Sequence, residues 1–151
     1  MNSALTFATL DRAACEALLL AHHVGRMAFT FRDRVDIEPL HYVFDDGWIY
    51  GRTAEGTKLR TLAHHPWVAF EVDEVSALFD WKSVVVHGRI EFPDPDRMGS
   101  DSARHQKAVN AVRTLIPQAF ADADPTPNRE IVWALPLHNV EGRMATTGDP
   151  A

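Results

Sequence analysis

Large apolar residues recur along the chain at two spacings, and each spacing predicts a different element. In residues 26–31 every second residue is large and apolar, which is the period of a strand. In residues 54–65 the apolar positions change to helical spacing, and Pro66 ends the segment. The pattern predicts strands at 26–31, 36–44, 48–53, 67–73, 81–92, 130–137 and 138–144, and helices at 11–22, 54–65 and 101–115.

Turn residues separate these elements. Asp45-Asp46-Gly47 is a strong hairpin signal between the strands at 36–44 and 48–53. We expect a loop at 74–80, a strand pair formed by 130–137 and 138–144, and a mobile tail at 146–151.

Strands outnumber helices, and they do not alternate with helices in the order of a doubly wound parallel sheet. Several strands have one apolar and one polar face, and a closed antiparallel barrel satisfies both faces. The sequence therefore predicts a mainly β, barrel-like single domain over residues 1–151, with flanking helices and a core at about 10–145.

Composition narrows the class of protein. The chain has 151 residues, 46% of them hydrophobic, one cysteine and a formal charge of −6. No apolar run approaches the roughly 20 residues of a membrane span, and one cysteine excludes an internal disulfide. The negative charge argues against nucleic acid but not against one small anion. We expect a cytoplasmic protein with no membrane or nucleic-acid partner.

The segment GRTAEGTK (51–58) is the best candidate for an anion site, because it joins a strand end to a helix start. Free backbone N–H groups and the positive end of the helix dipole meet at such a junction. A helix start that merely carries surface charges explains the pattern equally well. The candidate binding residues are Arg52, Thr53, Gly56, Thr57 and Lys58.

Three stretches together resemble the pyridoxamine 5′-phosphate oxidase-like, FMN-binding split-barrel superfamily. They are VGRMAFTF (24–31), the run from PLHYVFDDGW to HHPWVAFEVDE (39–74), and WKSVVVHGRIEF (81–92). The resemblance is strongest to the small branch that includes nitroimidazole-resistance-type proteins. It implies a six-stranded antiparallel split β-barrel, a homodimer, and FMN bound in grooves at the dimer interface.

The resemblance also implies roles for individual residues. Lys58 matches the lysine that pairs with the FMN phosphate, and Thr57 stands where classical members tend to have arginine. Arg52 and Thr53 match positions flanking the phosphate and ribityl chain. The isoalloxazine ring would lie against Leu40, His41, Tyr42 and Val43, with His41 the best candidate for a group near it. Trp81 and Ser83 match the strand that closes the pocket, from the same or the other subunit.

The chain lacks the arginine-containing signature and the Arg-Leu-x-Pro type tail of true pyridoxamine phosphate oxidases. We therefore expect an FMN-dependent oxidoreductase that passes electrons between a nicotinamide donor and a small planar acceptor, with no catalytic residue assigned. A reductase using the deazaflavin F420, and a haem or flavin binding protein without turnover, are alternatives. The histidine spacings predict no metal site, while His41, His87 or His138 are candidate haem ligands.

Overall fold

A computed structural model describes residues 4–148, and within them the chain forms nine strands and three helices. The strands are β1 (Leu5–Leu10), β2 (Val24–Phe31), β3 (Arg34–His41), β4 (Val43–Asp45), β5 (Trp48–Thr53), β6 (Trp67–Ala77), β7 (Asp80–Arg89), β8 (Ile131–Pro136) and β9 (Asn139–Thr147). The helices are α1 (Arg12–Ala21), α2 (Thr57–His64) and α3 (Ser100–Leu115). None of these helices is long and apolar enough to cross a membrane.

The strands form two antiparallel sheets. The larger has six strands in the order β1-β9-β7-β6-β2-β3, and the smaller has the order β4-β5-β8. Every neighbouring pair in both sheets is antiparallel. The predicted class, a mainly β antiparallel fold with flanking helices, is confirmed.

The small sheet is buried on both faces. Along β8, Trp133 faces the main core, whereas Val132 and Ala134 face a second core beneath α3. Along β5, Ile49 and Tyr50 divide in the same way. Because both faces are covered, β8 is apolar throughout and β5 is apolar as far as Gly51, as is usual for strands buried on both sides.

The aromatic core packs directly against two glycines. Phe70 lies between Tyr42 and Trp133, with ring centroids 5.2 and 6.1 Å away. A Cβ on Gly25 would lie 2.4 Å from Phe70 Cζ, and one on Gly51 would lie 2.3 Å from Trp133 Cζ2. Interiors this closely packed leave no room for an added methyl group, so each glycine lets a strand approach an aromatic ring.

The prediction of one continuous strand over 36–44 is wrong, because the strand is interrupted at Tyr42. β3 ends at His41 in the large sheet, and β4 begins at Val43 in the small one. The Tyr42 amide donates to the carbonyl of His23 at 2.9 Å, outside either strand ladder. The predicted hairpin at Asp46-Gly47 is confirmed between β4 and β5, and both turn residues have positive φ.

Two further predictions are wrong, and each concerns pairing that a single-sequence pattern does not encode. The loop expected at 74–80 is the end of β6, a tight turn and the start of β7, with Glu74 paired to Lys82. The strands at the C-terminal end do not pair with each other: β8 joins β5, whereas β9 lies between β1 and β7. β9 also continues through Thr147, into the segment expected to be a mobile tail. Residues 149–151 of that segment lie outside the described residues.

A buried ion pair fastens the segment after α3 to β5. The Arg52 guanidinium donates to both carboxylate oxygens of Asp124, at 2.6 and 2.9 Å, and to the Thr126 hydroxyl at 2.7 Å. Asp124 also accepts the backbone N–H groups of Phe120 and Thr126. The hydrogen bonds from Arg52, supported by these amides, hold the pKa of Asp124 far below its usual range.

Replacing Asp124 by Asn should lower the midpoint of thermal unfolding by roughly 10 °C near neutral pH, because Arg52 is left buried without its counterion. The folded pKa of Asp124 is depressed, so its stabilisation is present above the unfolded pKa of about 3.9 and is lost as the pH falls towards the folded value. The difference between wild type and variant should therefore shrink below about pH 4.

The matched control is Asp122→Asn, an exposed carboxylate in the same segment. Thermal unfolding followed by circular dichroism between pH 2 and pH 7 measures both variants. Equal, pH-independent effects of the two substitutions would contradict the assigned role of the ion pair.

Candidate functional site

The structure divides the sequence-predicted site residues between two cavities. The first, which we call the α2 cavity, has a volume of about 390 Å³ and includes Thr53, Gly56, Thr57 and Lys58 in its wall. The second, the α3 cavity, has a volume of about 280 Å³ and is lined by His41, Tyr42, Val43 and Arg52, among others. Leu40 lines both.

The α2 cavity has an aromatic wall and a polar rim. Phe29 and Phe31 come from β2, Trp133 from β8 and Phe92 from the segment after β7. Strand alternation turns Met27 and Phe29 to the inner side of the sheet, where both are buried. The wall therefore offers apolar surface to a flat ligand.

The rim is the N-terminus of α2, and it carries no side-chain cap. Gly56 is the N-cap residue, and the first turn contains no acidic residue. In α1, by contrast, the Asp11 carboxylate accepts the Ala14 N–H at 2.8 Å. The first N–H groups of a helix lack partners within the helix, so those of α2 are available to an anion.

Gly56 itself is not required by the packing of the protein. Its backbone is extended, with φ 166°, which any residue can adopt. A Cβ added there would meet nothing within 4 Å. The space beside the start of α2 is thus open to a ligand that approaches the backbone.

Lys58 is half-exposed at this rim and lies between two carboxylates of β3. Its Nζ donates to Glu38 and lies 3.7 Å from Asp36. The hydrogen bond to Glu38 raises the pKa of Lys58 above its usual value, so the ammonium is charged throughout the physiological range. A phosphate bound here would have to compete with Glu38 for this lysine.

Arg52 does not lie in the wall of the α2 cavity. Its guanidinium is buried in the ion pair with Asp124, and its Nη1 also donates to the Arg129 carbonyl at 3.5 Å. The predicted role beside a phosphate would need this charge to be free. In the structure the Arg52 guanidinium instead holds the segment after α3 against β5.

The residues after Leu40 face away from the α2 cavity. The Tyr42 hydroxyl donates to the Leu19 carbonyl at 2.7 Å, and burial raises the pKa of this phenol. His41 is exposed and lines the α3 cavity. Neither side chain is therefore placed to contact a ring bound beneath α2 in the same chain.

Trp81 and Ser83 lie on the side of the large sheet that faces away from the core. Along β7 they alternate with Val84 and Val86, which are buried in the core. We call this opposite side the outer face. Neither residue lines the α2 cavity, so in a single chain they are separated from Lys58 by the sheet.

Sequence reasoning missed Glu38, Phe92 and Trp133, all of which line the α2 cavity. Glu38 is two residues before Leu40 in one strand, so period-two alternation places both on the same face. That alternation was the available signal for Glu38. No three His, Cys, Asp or Glu side chains between residues 4 and 148 are grouped so that they could hold a metal ion.

Comparisons with known proteins agree with this architecture. An uncharacterized protein of Rhizobium meliloti is 28% identical, over 93% of this chain and 96% of its own length. The crystal structure of an FAD-binding protein from Mesorhizobium loti is 27% identical, with a TM-score of 0.71 over 93% of this chain and 99% of that one.

A third comparison concerns the fold alone. The crystal structure of a putative 5-nitroimidazole antibiotic resistance protein from Bacteroides thetaiotaomicron is 17% identical, with a TM-score of 0.68 over 96% of this chain and 91% of that one. A family model described as pyridoxamine 5′-phosphate oxidase matches residues 11–144, nearly the whole described chain. The chain therefore belongs to the pyridoxamine 5′-phosphate oxidase family.

Proposed function

We propose that the chain binds a flavin nucleotide in the α2 cavity and acts as a flavin-dependent oxidoreductase. The observation that carries this proposal is an aromatic-lined cavity whose rim is an uncapped helix start with Lys58 beside it. The FAD-binding protein of Mesorhizobium loti, with 27% identity, supports a flavin as the ligand.

The residues present fit such a ligand. A volume of about 390 Å³ falls within the range of cofactor pockets. Phe29, Phe92 and Trp133 offer apolar contact for a ring system, and the backbone N–H groups at Thr57 and Lys58 offer donors for a phosphate. Open space at Gly56 would let the phosphate approach the backbone.

A bound flavin supplies the electron chemistry, and hydride transfer does not require an acid or base from the protein. The tasks left for this chain are to hold the phosphate, to keep water from the apolar wall and to position the ring. We propose a nicotinamide donor and a small planar acceptor, and not pyridoxamine 5′-phosphate, because the arginine signature for the substrate phosphate is missing.

FMN is the flavin that we favour, since the rim offers one phosphate position built on one helix start. FAD is the second candidate, because the Mesorhizobium loti relative is described as FAD-binding. Chromatography of the flavin released by heat denaturation distinguishes the two directly. Recovery of FAD would keep the cavity assignment and replace the cofactor.

We also propose a homodimer formed through the outer face of the large sheet. Ile37, Ala28 and Ala69 lie side by side across three strands of this face. Val35 and Trp67 beside them are 76% and 70% exposed. Exposed apolar patches of this kind mark interaction surfaces, and a second copy packed on this face would bury the patch. Trp81 and Ser83 lie on the same outer face, so a dimer formed through this face would bring them towards the other subunit.

Lys58→Ala and Glu38→Gln should shift flavin affinity in opposite directions. Lys58→Ala removes a charged hydrogen bond to the phosphate and should weaken FMN binding by about 1.5–3 kcal/mol. Glu38→Gln removes the carboxylate that competes for the ammonium, and should tighten FMN binding by about fivefold or more. Titration of the protein with FMN, followed by quenching of flavin fluorescence, measures both.

Arg60→Ala is the matched control, since Arg60 is an exposed basic residue of α2 outside the wall of the cavity. Its FMN affinity should change little. If Lys58→Ala and Arg60→Ala behave alike, or if Glu38→Gln weakens binding, the phosphate does not bind at this rim.

Ile37→Lys should convert the dimer to monomers, because it places a charge at the β3 end of the apolar row, beside Val35. Size-exclusion chromatography with light scattering at micromolar concentration gives the mass, to be compared with 16.9 kDa for one chain. Leu20→Lys is the control, since Leu20 is a similarly exposed apolar residue on α1. A monomeric wild type, or dimers that survive Ile37→Lys, would refute the proposed interface.

A further inference from the structure

Gly51 and Trp133 face each other across the small sheet. They are opposite residues of β5 and β8, which pair in antiparallel register. The Trp133 indole covers the side of Gly51 where a side chain would lie. A Cβ added to Gly51 would lie 2.3 Å from Cζ2, 2.4 Å from Cε2 and 2.8 Å from Nε1 of the indole. Three ring atoms therefore occupy the space of the missing methyl group.

The conformation of the Gly51 backbone does not require glycine. Gly51 lies inside a paired strand and is not among the glycines with positive φ, so other residues can adopt its conformation. A glycine within a strand often marks a place where another group approaches the backbone closely. At this position the approaching group is the Trp133 ring.

Trp133 connects Gly51 to the α2 cavity. Trp133 lines that cavity, whereas Gly51 does not. The tryptophan is 2% exposed, and Phe70 packs against its ring with 6.1 Å between centroids. Closely packed interiors leave such a ring little room to move within the core, and the open space beside Trp133 is the cavity of about 390 Å³. The missing side chain at residue 51 therefore determines how far the indole projects into the cavity.

We propose that Gly51 is a positioning residue for the flavin ring and acts through Trp133. A side chain at residue 51 pushes the indole into the α2 cavity and narrows the space for the ring, without touching the phosphate position at the start of α2. This role rests on the flavin site proposed above and extends it to a residue outside the cavity wall. Two separate parts of the protein then hold the two ends of the ligand: Lys58 and the start of α2 hold the phosphate, and the Gly51–Trp133 pair positions the ring.

The test compares FMN with riboflavin, which has the same ring system and no phosphate, by titration followed by flavin fluorescence. Gly51→Ala should weaken the binding of both by the same factor, about tenfold or more, because overpacking changes only the space for the ring. Lys58→Ala should weaken the binding of FMN alone. The absorbance bands of the bound flavin should shift in Gly51→Ala and stay unchanged in Lys58→Ala, since only the first variant changes the surroundings of the ring.

Gly142→Ala is the matched control. A Cβ added to Gly142 would lie 2.5 Å from Cys15 Sγ, so this substitution also overpacks the core. Neither Gly142 nor Cys15 lines the α2 cavity. The affinity of the folded Gly142→Ala variant for both flavins should therefore stay close to that of wild type.

A double variant separates the effect on the ring from a loss of the fold. Trp133→Phe replaces the indole by a smaller ring, which leaves room for the methyl group of Gly51→Ala. The double variant should fold and should bind riboflavin as tightly as Trp133→Phe alone, even where Gly51→Ala by itself is unfolded. Circular dichroism reports the folding of each variant.

The proposal is overturned if Gly51→Ala binds riboflavin like wild type, if it behaves like Gly142→Ala, if it weakens only FMN, or if the double variant does not recover the affinity of Trp133→Phe. All of these outcomes are read against a wild type that binds FMN. A wild type that binds neither flavin would refute the flavin site itself, and the role of Gly51 with it.

Discussion

The interruption between β3 and β4 at Tyr42 is the constraint on which both cavities depend. The ring of Tyr42 is 1% exposed and packs edge-on against Phe70, with 5.2 Å between centroids. Its hydroxyl is bonded to Leu19 at the end of α1, and its amide to His23 just before β2. Because of these contacts Tyr42 belongs to neither sheet. The chain leaves the large sheet after His41 and enters the small sheet at Val43. The residues on either side of this interruption line the cavities: Leu40 lines both, and Val43 lines the α3 cavity.

The distribution of charge explains how an acidic chain could hold the phosphate that we propose at the α2 cavity. Arg52 forms a buried ion pair with Asp124 and stabilises the fold. Lys58 lines the α2 cavity and Arg129 lines the α3 cavity. Glu38 holds Lys58 in place but also competes with any ligand for it. A lysine held in this way is kept in one position before a phosphate binds, at the cost of some affinity.

Elements determined by neighbours in sequence could be predicted. The first helix and the turn at Asp46-Gly47 each depend on residues close together in the sequence, and both were expected from it. β1 was not expected, and its place in the sheet depends on pairing with β9 far along the chain.

The same reasoning applies to the site. Gly56 and Lys58 lie within one segment, and their proximity at a helix start follows from local sequence. Glu38 is 20 residues from Lys58, and Asp124 is 72 residues from Arg52, so their pairing depends on tertiary structure. The sequence therefore predicts Arg52 as part of the anion site, because its partner Asp124 cannot be recognised from neighbouring residues. In the structure Arg52 forms a buried ion pair with Asp124 instead.

The proposed function depends on a flavin held beneath α2. The visible absorbance spectrum of the purified protein, before and after the addition of FMN or FAD, tests it most directly. We expect the two-band spectrum of an oxidised flavin, present on purification or acquired on addition, with one flavin per chain. A protein that stays colourless with both flavins, or one that shows a single sharp Soret band, would contradict it.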